Sequence, residues 1–268
     1  MIPAVAEMID THCHLDLPVF DPDRAEVLAR ARDAGVSAIL IPAIRPRTFA
    51  ALAALRDRHR DPAIAIAIGT HPQVVPDLDP AERQQALDAE AIANAARAAG
   101  AVAIGECGLD GGTAEPEVQE QILRAHIRAA HLARLPLVVH VLRAHHAAPR
   151  ILAEERAGAV GAVLHSYSGG VDLVPVYAGL DMHFSFAGPV TYARARRPLE
   201  AARAVATDRL LVETDAPDQT PEPHRGRRCE PAFVTHVVEA LAAARQVPTP
   251  DLAAQTTANA RRLFRFPP

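Results

Sequence analysis

The chain has 268 residues, 49% of them hydrophobic, with a formal charge of -4 and a pI near 6.3. That apolar mass is enough to bury one large α/β domain spanning residues 1–268, and the acidic balance excludes a general polyanion binder, whose surface would be net basic. Three scattered cysteines, Cys13, Cys107 and Cys229, with no Cys-x-x-Cys pair, imply neither a disulfide partner nor a thiolate zinc site. The N-terminal stretch carries Glu7 and Asp10 and no basic-then-apolar pattern. No window approaches the roughly 18 consecutive apolar residues of a membrane helix. The expectation is a soluble cytoplasmic protein without a membrane partner, monomeric or homodimeric. All 28 basic residues are arginine, which excludes a Schiff-base lysine, a phosphate-loop lysine and a carbamylated lysine bridging two metals. Tryptophan is absent and there are 3 tyrosines, so platforms for stacking bases are few.

In chain order, short β-branched or apolar runs alternate with longer Ala/Arg/Glu-rich stretches of helical period, the pattern of repeated βα units around a parallel sheet. The strand candidates are Met8–Cys13, Ser37–Pro42, Ile64–Gly69, Val102–Glu106, Leu137–Val141, Ala162–His165, Met182–Phe186 and Leu210–Thr214. Helix candidates between them are Asp23–Ala34, Pro80–Ala99, Pro116–Ala133, Ala148–Ala157 and Ala195–Thr207, followed by Pro231–Arg245 and Thr249–Phe264. Asp-Pro at 79–80 supplies a cap and a first-turn proline, while Gly35, Gly100 and Gly158 sit where helices should stop. Eight units predict an α/β (β/α)8 TIM barrel, whose active site lies at the C-terminal ends of the strands. An open doubly wound sheet is the alternative.

The polar residues at those strand ends read as a site. In Ile9-Asp10-Thr11-His12-Cys13-His14, strand alternation puts His12 and His14 on one face and Cys13 on the other. A lone His-x-His is equally a pair of loop histidines, since two ligands do not complete a zinc site. However, strand four ends in Glu106, strand five at His140, strand six at His165 and strand eight at Asp215. This mixed nitrogen and oxygen set suits borderline divalent ions such as zinc or manganese, and magnesium tolerates part of it. The ligands are too many for one tetrahedral ion with an open position. Two ions bridged by Glu106 fit better, one taking His12, His14 and Asp215 and the other His140 and His165. Two such ions activate a water at neutral pH and clamp the oxygens of an in-line displacement at phosphorus.

These residues carry a resemblance. Asp-Thr-His-Cys-His-Leu-Asp (10–16), Gly-Thr-His-Pro (69–72), Gly-Glu-Cys-Gly-Leu-Asp (105–110), His140, His-Ser-Tyr-Ser-Gly (165–169), Ser-Phe-Ala-Gly-Pro-Val-Thr-Tyr (185–192) and Glu-Thr-Asp-Ala-Pro (213–217) resemble, in order, the motifs of the TatD family of metal-dependent hydrolases. The likeness extends to Asn259-Ala260-Arg261-Arg262-Leu263-Phe264. It implies a metallo-dependent hydrolase of the TIM-barrel type, a phosphodiesterase or 3'-5' exonuclease-type DNase acting on DNA or RNA ends, with the six ligands in the roles given above. The chain departs from many relatives in carrying Leu142 before Arg143, Gly111-Gly112 after Gly-Leu-Asp, and Cys229 in Cys-Glu-Pro. None of these positions is a ligand.

Asp215 is the expected general base as well as a ligand, and Glu106 its catalytic companion. Glu213, two residues earlier on the same face, either orients a neighbouring ligand or is a buried acid paired with arginine. His71 is assigned to substrate contact, with a structural hydrogen bond as the alternative. Arg225, Arg227 and Arg228 follow strand eight and are expected to bind phosphate oxygens through guanidinium forks. Arg194, Arg196 and Arg197 are expected to start a helix instead. His126, His131, His145, His146 and His236 fall in helical stretches and are read as chemically idle, and Cys13 and Cys107 as small buried residues.

The leading functional expectation is thus a two-metal hydrolase of nucleic-acid ends or small phosphodiesters. A second keeps the metals but cleaves an aminoacyl ester, as a D-aminoacyl-tRNA deacylase does, or an amide. A third is a binding module with a structural metal, against which stands a complete set of six ligands.

Overall fold

The computed structural model describes residues 6–266. Eight strands occur in it: β1 (Met8–Asp10), β2 (Val36–Pro42), β3 (Ala63–Ile68), β4 (Ala103–Asp110), β5 (Leu137–Leu142), β6 (Ala162–Leu164), β7 (Met182–Phe186) and β8 (Leu210–Val212). Helices alternate with them: α1 (Arg24–Asp33), α2 (Phe49–Arg58), α3 (Pro80–Leu87), α4 (Ala89–Ala99), α5 (Pro116–Ala133), α6 (Ala148–Glu154), α7 (Val174–Ala178), α8 (Arg196–Ala204), α9 (Val234–Arg245) and α10 (Thr249–Phe264). The strands pair in parallel in chain order from β1 to β8. Beyond β8 the circle closes on β1 through a bridge between Cys13 and Ala216. Thr11 N–H donates there to Val212 O at 3.1 Å, Asp215 N–H to His12 O at 2.9 Å and His14 N–H to Ala216 O at 2.7 Å. This is the expected (β/α)8 TIM barrel.

The pleat is written most plainly in β3, which reads Ala-Ile-Ala-Ile-Ala-Ile. Ile64, Ile66 and Ile68 turn outward into the layer covered by the helices, while Ala65 and Ala67 turn inward. The narrow interior takes the smaller side chain and the helix-facing surface takes the larger. Inside, the alanines pack with Ile9, Leu40, Val138 and Leu211, and Leu263 and Phe264 of α10 join the same cluster. Leu263 lies against Gly161, the residue before β6, so α10 plugs the mouth at the strand N-termini and leaves the other mouth for polar side chains.

The structure differs from expectation in several places; helix α7, for one, forms where no helix was expected. The regular ladder of β1 stops at Asp10, before His12, because the Asp10 carboxylate takes the His12 N–H at 3.3 Å. The helix expected over 80–99 divides at Asp88, whose side chain accepts from Glu90 N–H and Ala91 N–H at 2.9 and 3.0 Å and starts a second helix. Helix α2 forms where none was expected, burying Phe49, Leu52 and Leu55 along one stripe. Finally, β4 runs on to Asp110 alongside β5. Gly108 permits that close approach: its φ is +153°, and a Cβ there would lie 1.9 Å from His140 O. The contact sets His140 beside the strand that carries Glu106.

Candidate metal centre

Glu106, fully buried, stands at the centre of the polar mouth. Its Oε2 faces His12 Nε2 at 3.0 Å and His14 Nε2 at 3.5 Å. Its Oε1 faces His165 Nε2 at 2.7 Å, His140 Nδ1 at 2.9 Å and His71 Nε2 at 3.0 Å. Asp215 Oδ1 lies on the first side, 3.7 Å from His12 Nε2 and 3.8 Å from His14 Nε2. The His12 and His165 rings stack with centroids 3.9 Å apart. The six residues expected as ligands therefore converge from the ends of β1, β4, β5, β6 and β8, and His71 from the end of β3 joins them.

Buried polar groups behind the cluster hold it in place. Asp10 accepts from Thr214 N–H at 2.9 Å, and its other carboxyl oxygen lies 2.5 Å from Thr214 Oγ1. This ties β1 to the segment between Glu213 and Asp215, and burial pushes the Asp10 carboxyl up to about 8. Glu213 Oε1 accepts from Ser166 N–H at 2.6 Å and lies 3.4 Å from His165 Nδ1, behind that ring. Gln219 accepts from Ser166 Oγ at 2.8 Å and donates to Asp215 Oδ2. Ser166, Asp215 and Gln219 all have positive φ, at 41°, 56° and 52°. Three linked residues in the sparsely populated left-handed region mark a place where the surroundings overrule backbone preference, as at many functional sites. The sequence reading did not find Asp10 or Gln219. An acid inside an apolar strand was a usable signal for Asp10; Gln219 offered only its loop.

Two buried residues on one face of α5 secure neighbouring strand ends. Gln119 accepts from Asp110 N–H at 2.8 Å and donates to Ala114 O at 2.9 Å. His126 accepts from Thr70 N–H at 3.0 Å through Nε2, and its Nδ1 lies 2.8 Å from Ile122 O. Read as idle from sequence, His126 thus anchors the segment that carries His71. Burial lowers its imidazole to about 4, so the folded state refuses a proton that the unfolded chain accepts near pH 6.5. Stability must fall as pH drops from about 6.5 to 4, by about 3 kcal/mol from this residue. Urea titrations in chelator at pH 7 and pH 5 are expected to show a smaller acid loss in His126→Gln than in wild type, by about 2 kcal/mol. An identical loss in both proteins would refute the assignment.

His71 Nδ1 accepts from Gln73 N–H at 3.0 Å. That bond leaves the proton of a neutral ring on Nε2, so His71 faces Glu106 as a donor. The other imidazoles have no such restriction. Glu106 Oε2, His140 Nε2 and the Nδ1 atoms of His12 and His14 are buried without a hydrogen-bond partner. Candidate ligand atoms of His12, His14 and Glu106 lie within 4.8 Å of one another, as do those of His12, His165 and Asp215 and those of His71, Glu106 and His140. Burial raises the Glu106 carboxyl, but His165, His71 and His12 outweigh it and hold it well below the usual carboxylate range. Burial lowers His12 and His140. At His14 burial is overcome by Glu106 and Asp215, which carry the ring up to about 9. An ionised carboxylate facing nitrogens of His12, His14, His140 and His165, with Asp215 beside them, is a donor set suited to divalent cations.

The cluster lines a cavity of about 420 Å³ with Leu17, Ile44, Gln73 and Gln219 among its walls. None of the three arginines expected to bind substrate borders it. Arg228 donates to Asp23 at 2.7–2.8 Å and to Glu230 at 3.0 Å, which spends its fork inside the protein. Arg227 lines a separate cavity with Arg30 and His224. Arg225 keeps an exposed guanidinium, stacked 4.4 Å from the centroid of Tyr192. Among the described residues, no helix is long and apolar enough to cross a membrane, and Cys13, Cys107 and Cys229 are buried and free.

A TIM barrel with a buried His/Glu/Asp centre at the C-terminal ends of its strands defines the class of metal-dependent hydrolases. The family model described as TatD related DNase matches residues 9–265, and the chain belongs to that family. It is 35% identical to an uncharacterized metal-dependent hydrolase of Bacillus subtilis, YabD, over 97% of this chain and 99% of that protein. It is 33% identical to the 3'-5' ssDNA/RNA exonuclease TatD of Erwinia tasmaniensis, over 96% of this chain and 99% of that one. The crystal structure of the TatD homologue YjjV from Escherichia coli superposes with a TM-score of 0.88 at 29% identity, covering 98% of this chain and all of that chain.

Proposed function

We infer that the protein is a phosphodiesterase that removes nucleotides from the ends of nucleic-acid strands, with two divalent cations that Glu106 would help to hold. The observation that carries this reading is the division of labour at Glu106: one carboxylate oxygen serves His12 and His14, and the other serves His140 and His165. His12, His14 and Asp215 would hold one cation and His140 and His165 the other, and the imidazole content favours zinc or manganese over magnesium. When bound, the cations supply positive charge for the phosphoryl oxygens and make water a nucleophile at neutral pH. The 33% identity to an exonuclease of single-stranded DNA and RNA supports the choice of substrate. Three reduced, buried cysteines fit a cytoplasmic setting.

The chain's own residues divide the remaining work. Asp215 accepts the proton of the attacking water on Oδ1, because Gln219 occupies Oδ2. Glu213, behind His165 Nδ1, sets the orientation of that ring. His71, kept by Gln73 in the tautomer that carries its proton on Nε2, would pass that hydrogen bond from Glu106 Oε1 to a phosphate oxygen when substrate binds. The test is release of p-nitrophenol from bis(p-nitrophenyl) phosphate and of nucleotides from a short oligonucleotide, with manganese or zinc and with chelator. Metal-dependent release from both is expected. Turnover of an aminoacyl ester without either phosphodiester would overturn the reading.

A further inference from the structure

Beyond the metal centre the mouth of the barrel continues as a trough. The cavity around Glu106 ends at Gln219, and Gln219 also borders a second cavity of about 190 Å³ lined by Ser166, Tyr167, Pro189 and Pro198. Pro189 and Pro198 in turn line a third of about 580 Å³, whose other walls include Tyr192, Arg194, Glu222 and Arg225. The path leads from the acid and imidazole centre over an apolar stretch to two exposed arginines.

The far end is built rather than loose. Tyr192 is pinned by its hydroxyl, which donates to Thr220 O at 3.1 Å, and Arg225 lies over its ring. Glu222 N–H donates to Thr191 Oγ1 at 2.8 Å, which ties the loop after β8 to the loop after β7. The carboxylate of Glu222 reaches Arg225 only at 3.8 Å, with both side chains exposed, so it neutralises the guanidinium weakly. A guanidinium placed over a fixed ring, 4.4 Å from its centroid, offers a stacking surface to a nucleobase, and a second arginine lining the same cavity is a partner for phosphate.

We propose that this trough is the binding track for the unreacted part of a single-stranded nucleic acid, with a base on the Arg225–Tyr192 stack and backbone phosphate against Arg194. The proposal rests on the phosphodiesterase reading for the direction of the strand but not for its affinity. It also explains how an acidic body can hold a polyanion: two exposed arginines supply local positive charge at the far end of the mouth. A track of this length contacts a few nucleotides and selects strands over mononucleotides.

The test uses the metal-loaded protein and a fluorescein-labelled octanucleotide with phosphorothioate linkages, followed by anisotropy across a salt series. The variants are Arg194→Gln/Arg225→Gln, Arg194→Lys/Arg225→Lys and, as a control, Arg58→Gln at the end of α2 by the opposite mouth. The glutamine pair is expected to raise Kd about tenfold and to flatten the slope of log K against log salt by about 0.7, the share of the one phosphate held by Arg194. The lysine pair should restore the slope but only part of the affinity, because lysine supplies charge without a stacking plane. Unchanged Kd and slope in the glutamine pair, or no binding by wild type, would overturn the track, and full recovery by lysine would overturn the stack. Hydrolysis of bis(p-nitrophenyl) phosphate is measured in parallel. Its absence in wild type would refute the phosphodiesterase reading, while anisotropy still decides the track.

Discussion

Glu106→Ala is expected to lower metal-dependent hydrolysis by at least about a thousandfold and to leave the purified protein with little bound metal. Residues that merely orient a metal ligand change affinity by roughly 10–100-fold when removed, and Glu106 is placed to serve both halves of the centre. No other carboxylate can take over. Asp215 lies 3.7–3.8 Å from His12 and His14 and clusters with His12 and His165, which leaves His140 to Glu106, and Asp110 stands 3.9 Å from His140 Nε2, committed to Gln73 Nε2 at 2.7 Å and Gly112 N–H at 2.7 Å. The fold should survive. Deleting a fully buried carboxylate removes its desolvation cost together with its attractions, and the barrel's apolar layers are built from other side chains. The unfolding free energy in urea without metal is expected to fall by at most about 3–5 kcal/mol, the cost of removing one partner of a buried ion pair, and by less as the facing imidazoles give up their protons. Elemental analysis for bound metal and the p-nitrophenol rate are the measurements, and a variant that retained two cations per chain and its activity would end the bridging assignment.

How far the sequence revealed this site depends on what kind of interaction places each residue. The strand ends were readable because the barrel imposes a rule: strand C-termini share one mouth, so His12, His14, Glu106, His140, His165 and Asp215 could be gathered without knowing any distance. The alternation of β3 into inner alanines and outer isoleucines is also in the letters, as is the cap at Asp79 before Pro80. Asp88 was harder, because a cap in the middle of a helical stretch competes with propensity and wins only through its two hydrogen bonds to Glu90 and Ala91. Long-range contacts left no local signature. Arg228 looks like any loop arginine until Asp23, 205 positions away, is found to hold it. His126 was visible as a histidine on the buried face of a helix with Gln119, Ile122 and Leu123, but its bond to Thr70 lies 56 residues back along the chain. The pairing of Arg225 with Tyr192 is of the same kind: each belongs to a different loop, and only the closed barrel brings the loops together.

Asp215→Asn separates the work of a base from that of a ligand. The amide preserves shape and can still accept from Gln219, so the left-handed turn at Asp215 and its links to Ser166 should persist. What disappears is an oxygen able to take a proton where Oδ1 faces His12 and His14. General-base assistance is worth about 10²–10⁴ in rate, so kcat is expected to fall by about that factor with KM nearly unchanged. The His140 and His165 side, served by Glu106 Oε1, should keep its cation, unlike the outcome for Glu106→Ala. Elemental analysis should then find at least half the wild-type metal in a protein that turns over almost nothing. If Asp215→Asn loses all its metal, Asp215 is a ligand first, and the proton must leave through another group. If it keeps both metal and rate, neither role belongs to Asp215, and Glu213, two residues earlier, becomes the carboxylate to replace next.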